Sequence, residues 1–290
     1  MRLFCLLALF WASVCGSNAQ DSTIVYQVGL NLSGTTEQTP FLMHSNRYGA
    51  VPLEGNYVTG NWRIHKTYNP YNPRIAQWSA GAEFITNYSL DQKSNVFFTD
   101  LYVAGKLGPV EMSIGQRKEM HGILDTLLTS GSLNFSGNAR PYPKIQISIP
   151  YFLPLHFTDD LIAVKASYAD GLLGNSELNY GDIRHVPYTY IHQKSVWIRI
   201  GKPSQKLKYY VGMNHMAIWG GERSIWPLYE NMSKGSAYLY TMTGKSYNHI
   251  RIGAHFGTID LGIELKHQGW KYKLYRQSIF DTGSLSKDIN

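Results

Sequence analysis

Ile250-Arg251-Ile252-Gly253-Ala254-His255-Phe256-Gly257 sets apolar residues on one parity and polar residues or glycine on the other. Leu261-Gly262-Ile263-Glu264-Leu265-Lys266 repeats the rule, and so does Val110-Glu111-Met112-Ser113-Ile114-Gly115. A β-strand turns successive side chains to opposite faces, so each stretch has one oily face and one wet face. Working outward, the same pattern predicts strands near 24–32, 55–66, 74–88, 95–106, 109–118, 143–152, 160–169, 194–201, 207–219, 248–257, 258–267 and 270–278. Tight turns are expected at Gly105 to Pro109, at Gly257-Thr258-Ile259 and at His267 to Trp270, which makes neighbouring strands antiparallel. Longer Gly-, Asn- and Ser-rich connections are expected at 119–142, 170–193 and 220–247. Alternating short turns and long loops is the asymmetry of an outer-membrane barrel. The expected fold is all-β: an antiparallel transmembrane β-barrel of about twelve strands, closed on itself or part of a larger barrel. A tyrosine-rich soluble sandwich would show similar alternation.

Composition agrees with a sheet between oil and water. Apolar residues make up 43% of the 290-residue chain, too many for a disordered one. The 21 Tyr and 7 Trp suit lipid–water interfaces. Residues 1–19 read as a secretory signal peptide: Arg2, an apolar run Leu3 to Val14, then Ser17 and Ala19 before the cleavage site. The mature domain is then 20–290. Cys5 and Cys15 both fall in the signal, which leaves the mature chain no thiol, disulfide or cysteine metal site. No mature segment approaches the ~18 apolar residues of a membrane helix. The net charge of +7 is scattered, and no reading motif for nucleic acid is present.

Parity sorts the charges. Glu83, Glu111, Arg117, Lys165, Arg199, Arg251, Glu264 and Lys266 sit opposite apolar neighbours and are expected to face a lumen, since a charge on the lipid face costs about 2–4 kcal/mol at the midplane. Ile252 is expected on the lipid face. The Asn-x-Ser sequons at Asn31, Asn87, Asn134 and Asn231 read as polar turns and strand ends.

Three stretches are more specific than alternation. One is Pro40-Phe41-Leu42-Met43-His44-Ser45-Asn46-Arg47-Tyr48-Gly49. The second runs Gly115-Gln116-Arg117-Lys118-Glu119, Ser130-Gly131-Ser132-Leu133 and Ser136-Gly137-Asn138-Ala139-Arg140-Pro141-Tyr142-Pro143-Lys144-Ile145. The third is Asn214-His215 with Trp219-Gly220-Gly221. Together they resemble the capsule-assembly (Wzi-type) family of outer-membrane β-barrels in its Bacteroidetes-like form. The resemblance implies a protein of the bacterial outer membrane that binds capsular polysaccharide, or another surface glycan, for attachment at the cell surface. It implies contact with outer-membrane lipid and no catalysis; the chain is expected to act as a monomer. Chains of that family are usually longer and continue beyond the point where Phe280-Asp281-Thr282-Gly283 leads to Asn290, so a C-terminally truncated sequence is expected.

Sugar sites combine aromatic faces with Asn, Arg and carboxylates. The candidates are Arg117, Glu119, Asn134, Asn138, Arg140 and Tyr142 in one cluster, with His121 beside them, and Trp219, Arg223 and Trp226 in a second. Turn geometry alone would also account for Gly137, Asn138 and Pro141. A porin-like passive channel is the alternative, and an outer-membrane lipid hydrolase a third reading. His44-Ser45 and the surroundings of His192 do not reproduce a hydrolase motif, and no Gly-x-Ser-x-Gly elbow occurs. No catalytic residue, metal site or cofactor is expected, because the ten histidines lack ligand spacing.

Overall fold

A computed structural model describes residues 23–34, 38–89, 92–125, 128–129, 131–180, 182–221 and 232–281. Residues 1–19, expected from the sequence to be a signal peptide, lie outside them, as do Arg223, Trp226 and Asn231. The strands are β1 (Ile24–Ser33), β2 (Tyr57–Lys66), β3 (Ala76–Ser89), β4 (Asn95–Leu107), β5 (Val110–Gln116), β6 (Lys144–Pro154), β7 (Ile162–Tyr180), β8 (Ile183–Ile200), β9 (Leu207–Trp219), β10 (Ser246–Tyr247), β11 (Ile250–Arg251), β12 (Ala254–His267) and β13 (Trp270–Asp281). A helical turn, α1 (Phe41–His44), follows β1, and a helix, α2 (Lys234–Thr243), follows β9.

All strands but β10 and β11 form one 11-stranded antiparallel meander, ordered along the chain from β1 to β13. The sheet is open: β1 pairs only with β2 and β13 only with β12. The expected closure is therefore not present among the described residues. No described helix is long and apolar enough to cross a membrane.

The sheet is inside-out by the standard of a soluble domain. On β3, Ser79, Glu83, Asn87 and Ser89 face inward and are buried, while Trp78 and Tyr88 face outward and are exposed. Leu30 is 74% exposed and Leu274 73%, whereas Glu83 is 1% exposed. Large exposed apolar faces of this kind mark contact with lipid or a partner, not water. A β-bulge sharpens the inner face: Glu83 pairs with Asp100 but Phe84 with Phe98, so Thr99 is the extra residue. Thr99 and Asp100 are both buried as a result.

The ends of the sheet differ. Connections 67–75, 108–109, 155–161, 201–206 and 268–269 lie at one end and are short. Connections 34–56, 117–143 and 220–253 are long and share the other end with the short connections 90–94 and 181–182. Two loop expectations are corrected. Residues 170–193 are the extended β7–β8 hairpin, whose register shifts near Gly174, Ser176 and Tyr180 absorb the glycines. No turn falls at Gly257-Thr258-Ile259; β12 runs straight through it.

The break lies earlier. Gly253 has φ +82°, a conformation natural to glycine, and it interrupts the alternation. Ile252 is therefore not on the lipid face. It is fully buried with Met232 and Ala237 of the α2 segment, packed by Trp219, Tyr240 and Tyr247. Arg251 belongs to the small β10–β11 hairpin and not to the main sheet. Glu83, Glu111, Lys165, Arg199, Glu264 and Lys266 share the inner parity of their strands, as expected.

Candidate functional site

The inner face is not empty. Next to the last residue of β5, Gly115 has φ +118°, and a Cβ there would meet the Leu101 carbonyl oxygen at 2.1 Å. Only glycine lets the chain leave the strand so close to β4. From there the 117–143 connection turns across the inner face. At its start the Lys118 amide donates to Asp100 Oδ1 at 2.7 Å. Farther on, Thr129 Oγ1 lies 3.2 Å from the Tyr275 hydroxyl, the Leu133 amide donates to Gln277 Oε1 at 3.3 Å, and Lys271 pairs with Asp125 at 3.4 Å. One connection thus touches β4 and β13, so the sheet curls around it and encloses a lumen.

The segment after α1 locks onto this plug. Asn46 Nδ2 donates to the Thr129 carbonyl at 2.6 Å, the Tyr48 amide to the Gly137 carbonyl at 2.9 Å, and the Gly49 amide to Asn138 Oδ1 at 3.0 Å. The first and second stretches singled out in the sequence form one unit.

Ion pairs fasten the plug to β2–β6. Arg63 Nε lies 2.9 Å from Glu83 Oε2, and Lys118 Nζ bonds the other oxygen. Arg117 bridges Glu111 at 2.8 Å and Glu119 at 3.2 Å. Lys144 Nζ meets Glu119 at 2.6 Å, Gln146 Nε2 donates to it at 2.9 Å, and Tyr68 donates to Glu111 at 2.8 Å. Burial alone would raise the Glu119 carboxyl; Lys144 and then His121 and Arg117 reverse that and hold it at about 2. Burial and the charge of Lys144 push His121 down to about 4, so it stays neutral near pH 7. Burial opposes the charge on Arg117, but hydrogen bonding to Glu111 and the charges of Glu119 and Glu111 more than compensate and raise its pKa.

Between plug and wall lies a cavity of about 320 Å³. Arg117, Glu119, His121, Gln146, Ser148, Lys165 and Trp197 line it. The set offers fixed donors, a carboxylate, a cation and an indole face, which is a binding chemistry. No nucleophile with an oriented base stands among these lining residues.

Of the sequence candidates, Arg117 and Glu119 line this cavity. Tyr142 stands beside it: its hydroxyl donates to Gln193, and its ring lies 5.9 Å from Phe135, which is 4.8 Å from His121. Asn134 is buried against Ser132, and Asn138 serves the Gly49 amide, so both hold the plug together. Arg140 stacks on Phe97 at 3.7 Å and is exposed. Trp219 does not join them. On β9 it shares the outward parity of Tyr209 and Val211, and it packs on Tyr190 and Tyr238 of α2. Lys144, Gln146 and Ser148 were not selected from the sequence, although their alternation with Ile145, Ile147 and Ile149 signals an inward face.

His65, Glu83 and Asp100 bring ligand atoms within 4.8 Å of one another, the spacing of a metal set. Arg63 and Lys118 already occupy Glu83 and would repel a cation, so the trio reads as part of the ion-pair network. On the outer face, α2 covers a polar cluster. Asp170 Oδ1 meets His192 Nδ1 at 2.9 Å, the Tyr238 hydroxyl donates to Asp170 at 2.8 Å, and Lys194 Nζ donates to the Met242 carbonyl at 2.7 Å.

No protein-family model matches the chain, and no curated protein matches it. Among solved structures the chain is similar to a loop-L8 deletion mutant of OmpT, an outer membrane protein of Vibrio cholerae. The two share 9% identity over 88% of this chain and 92% of that one, with a TM-score of 0.20.

Proposed function

We propose that this chain is a bacterial outer-membrane β-barrel protein of the capsule-assembly (Wzi) type, which holds capsular polysaccharide, or another surface glycan, at the cell surface without reacting with it. The observation that carries the reading is the plug. Two sequence stretches that resemble this family, far apart in the chain, hydrogen-bond to each other inside the curled sheet, and the second of them lines a polar cavity. The apolar outward face and the division into short and long connections support a membrane setting. In that setting the long connections face outside the cell, where a glycan would meet Arg140 and the plug. A bilayer leaves no strand edge unpaired, so the reading also requires partners for the edges of β1 and β13.

A plugged lumen favours this reading over a porin-like channel, which needs an open path. The test is deletion of the gene in an encapsulated host. Polymer synthesis is expected to continue while polysaccharide moves from the cell surface into the medium. An unchanged amount of cell-bound capsule would refute the function.

A further inference from the structure

We infer that the inner wall built by β7, β8, β9, β12 and β13 seats an anionic sugar residue, carboxylated or phosphorylated, beneath the plug. This rests on the glycan reading above and narrows it to acidic polymers. Strand register puts Lys165, Trp197, Gly212 and Asp260 on one rung and Ala163, Arg199, Tyr210 and Gly262 on the next. Lys208, Glu264 and Lys273 form the rung after that.

Three of these cations have no carboxylate partner among the described residues, and each lies against a ring. Lys165 Nζ is 5.4 Å from the Trp197 centroid, the Arg199 guanidinium 5.6 Å from Phe152, and Lys273 Nζ 5.4 Å from Tyr210. The Phe152 and Tyr210 rings are themselves 5.6 Å apart. Arg199 Nε and Nη2 are buried without a hydrogen-bond partner. So is the hydroxyl of Ser148, which lines the cavity with Lys165 and is 6% exposed. Cation–π contact returns about 0.5–2 kcal/mol, less than the several kcal/mol that desolvating an unpaired charge costs.

A ligand that brings its own negative charge closes that gap. It must also offer an apolar face to Trp197, Phe152 and Tyr210, as the C–H face of a sugar ring does. Inorganic anions lack the face, and neutral sugars can accept hydrogen bonds from Arg199 but bring no charge to offset the cations. A sugar acid satisfies both demands.

The test uses the whole protein in detergent micelles and measures affinity for trigalacturonate, neutral galactotriose and inorganic phosphate. The acidic trimer is expected to bind at least about 10-fold more tightly than the neutral one, with an affinity that falls as salt rises. That ratio should collapse in Lys165→Gln/Arg199→Gln and persist in the charge-preserving Lys165→Arg/Arg199→Lys. Equal affinity for both trimers in the wild-type protein, or a ratio that survives loss of both charges, overturns the inference and leaves the glycan reading intact. Phosphate binding as tightly as the acidic trimer overturns the sugar assignment. If neither trimer binds, the glycan reading falls and takes this inference with it.

Discussion

On β2–β6 each inward carboxylate has a cation beside it: Arg63 and Lys118 on Glu83, Arg63 on Asp100, Arg117 on Glu111. Across the lumen, Lys165, Arg199 and Lys273 rest on aromatic rings without such partners. The first half uses its charges on itself and on the plug, through Lys118 and Glu119. The second half keeps charge in reserve. A structural network and a ligand-ready wall can therefore be built from the same residue types, and the difference lies in whether the counter-charge comes from the chain.

Removing one member of a buried network should do the most damage. Glu83→Gln strands Arg63 and Lys118 and is expected to cost about 3–5 kcal/mol in urea unfolding from lipid vesicles. A loss under about 1 kcal/mol would mean that the paired half is not structural. Next comes the boundary between faces. Val103→Arg puts a charge on the apolar outer face and is expected to cost about 2–4 kcal/mol and to block membrane assembly. Normal assembly would break the assignment of faces.

Acid should loosen the plug from the paired half. His121 binds its proton less readily when folded, so stability falls as pH drops from its ordinary 6.5 toward about 4. Glu119 is depressed instead, so its contribution, complete above 4.5, is lost as pH falls toward about 2. Proteolysis of 117–143 should accelerate in those two windows, and His121→Gln should remove the first. The smallest effect belongs to the unpaired half. Lys165→Gln orphans no partner and should change stability by no more than about 1 kcal/mol. A cost matching that of Glu83→Gln would erase the contrast between the halves.

Much of this was legible in the chain. The alternation of Val110 to Gly115 and of Leu261 to Lys266 gives the strands and their inward charges, because parity is a local property. Three features were not. The β7–β8 extension hides behind Gly171, Gly174 and Asn175, which read as loop; Gly171 pairs regularly with Ile191, and shifted register takes up Gly174 and Asn175. Ile252 keeps the apolar parity until Gly253 bends the chain, and a single glycine does not announce its φ. Helix α2, Lys-Gly-Ser-Ala-Tyr-Leu-Tyr-Thr-Met-Thr, has poor helix formers. It forms because Ser233 caps it, Gly244 ends it and Ile252 packs beneath it. Of the site, Arg117, Glu119 and Tyr142 were visible from their residue types. Trp219 was assigned to a second cluster by its residue type, and β9 turns it outward, away from the plug.

The central claim is that 117–143 closes the lumen, and single-channel recording in planar bilayers tests it most directly. The intact protein is expected to pass no porin-like current, and a variant with 120–141 replaced by a short Gly-Ser linker to conduct. Steady conductance by the intact protein, unchanged on removal of the plug, would contradict the account.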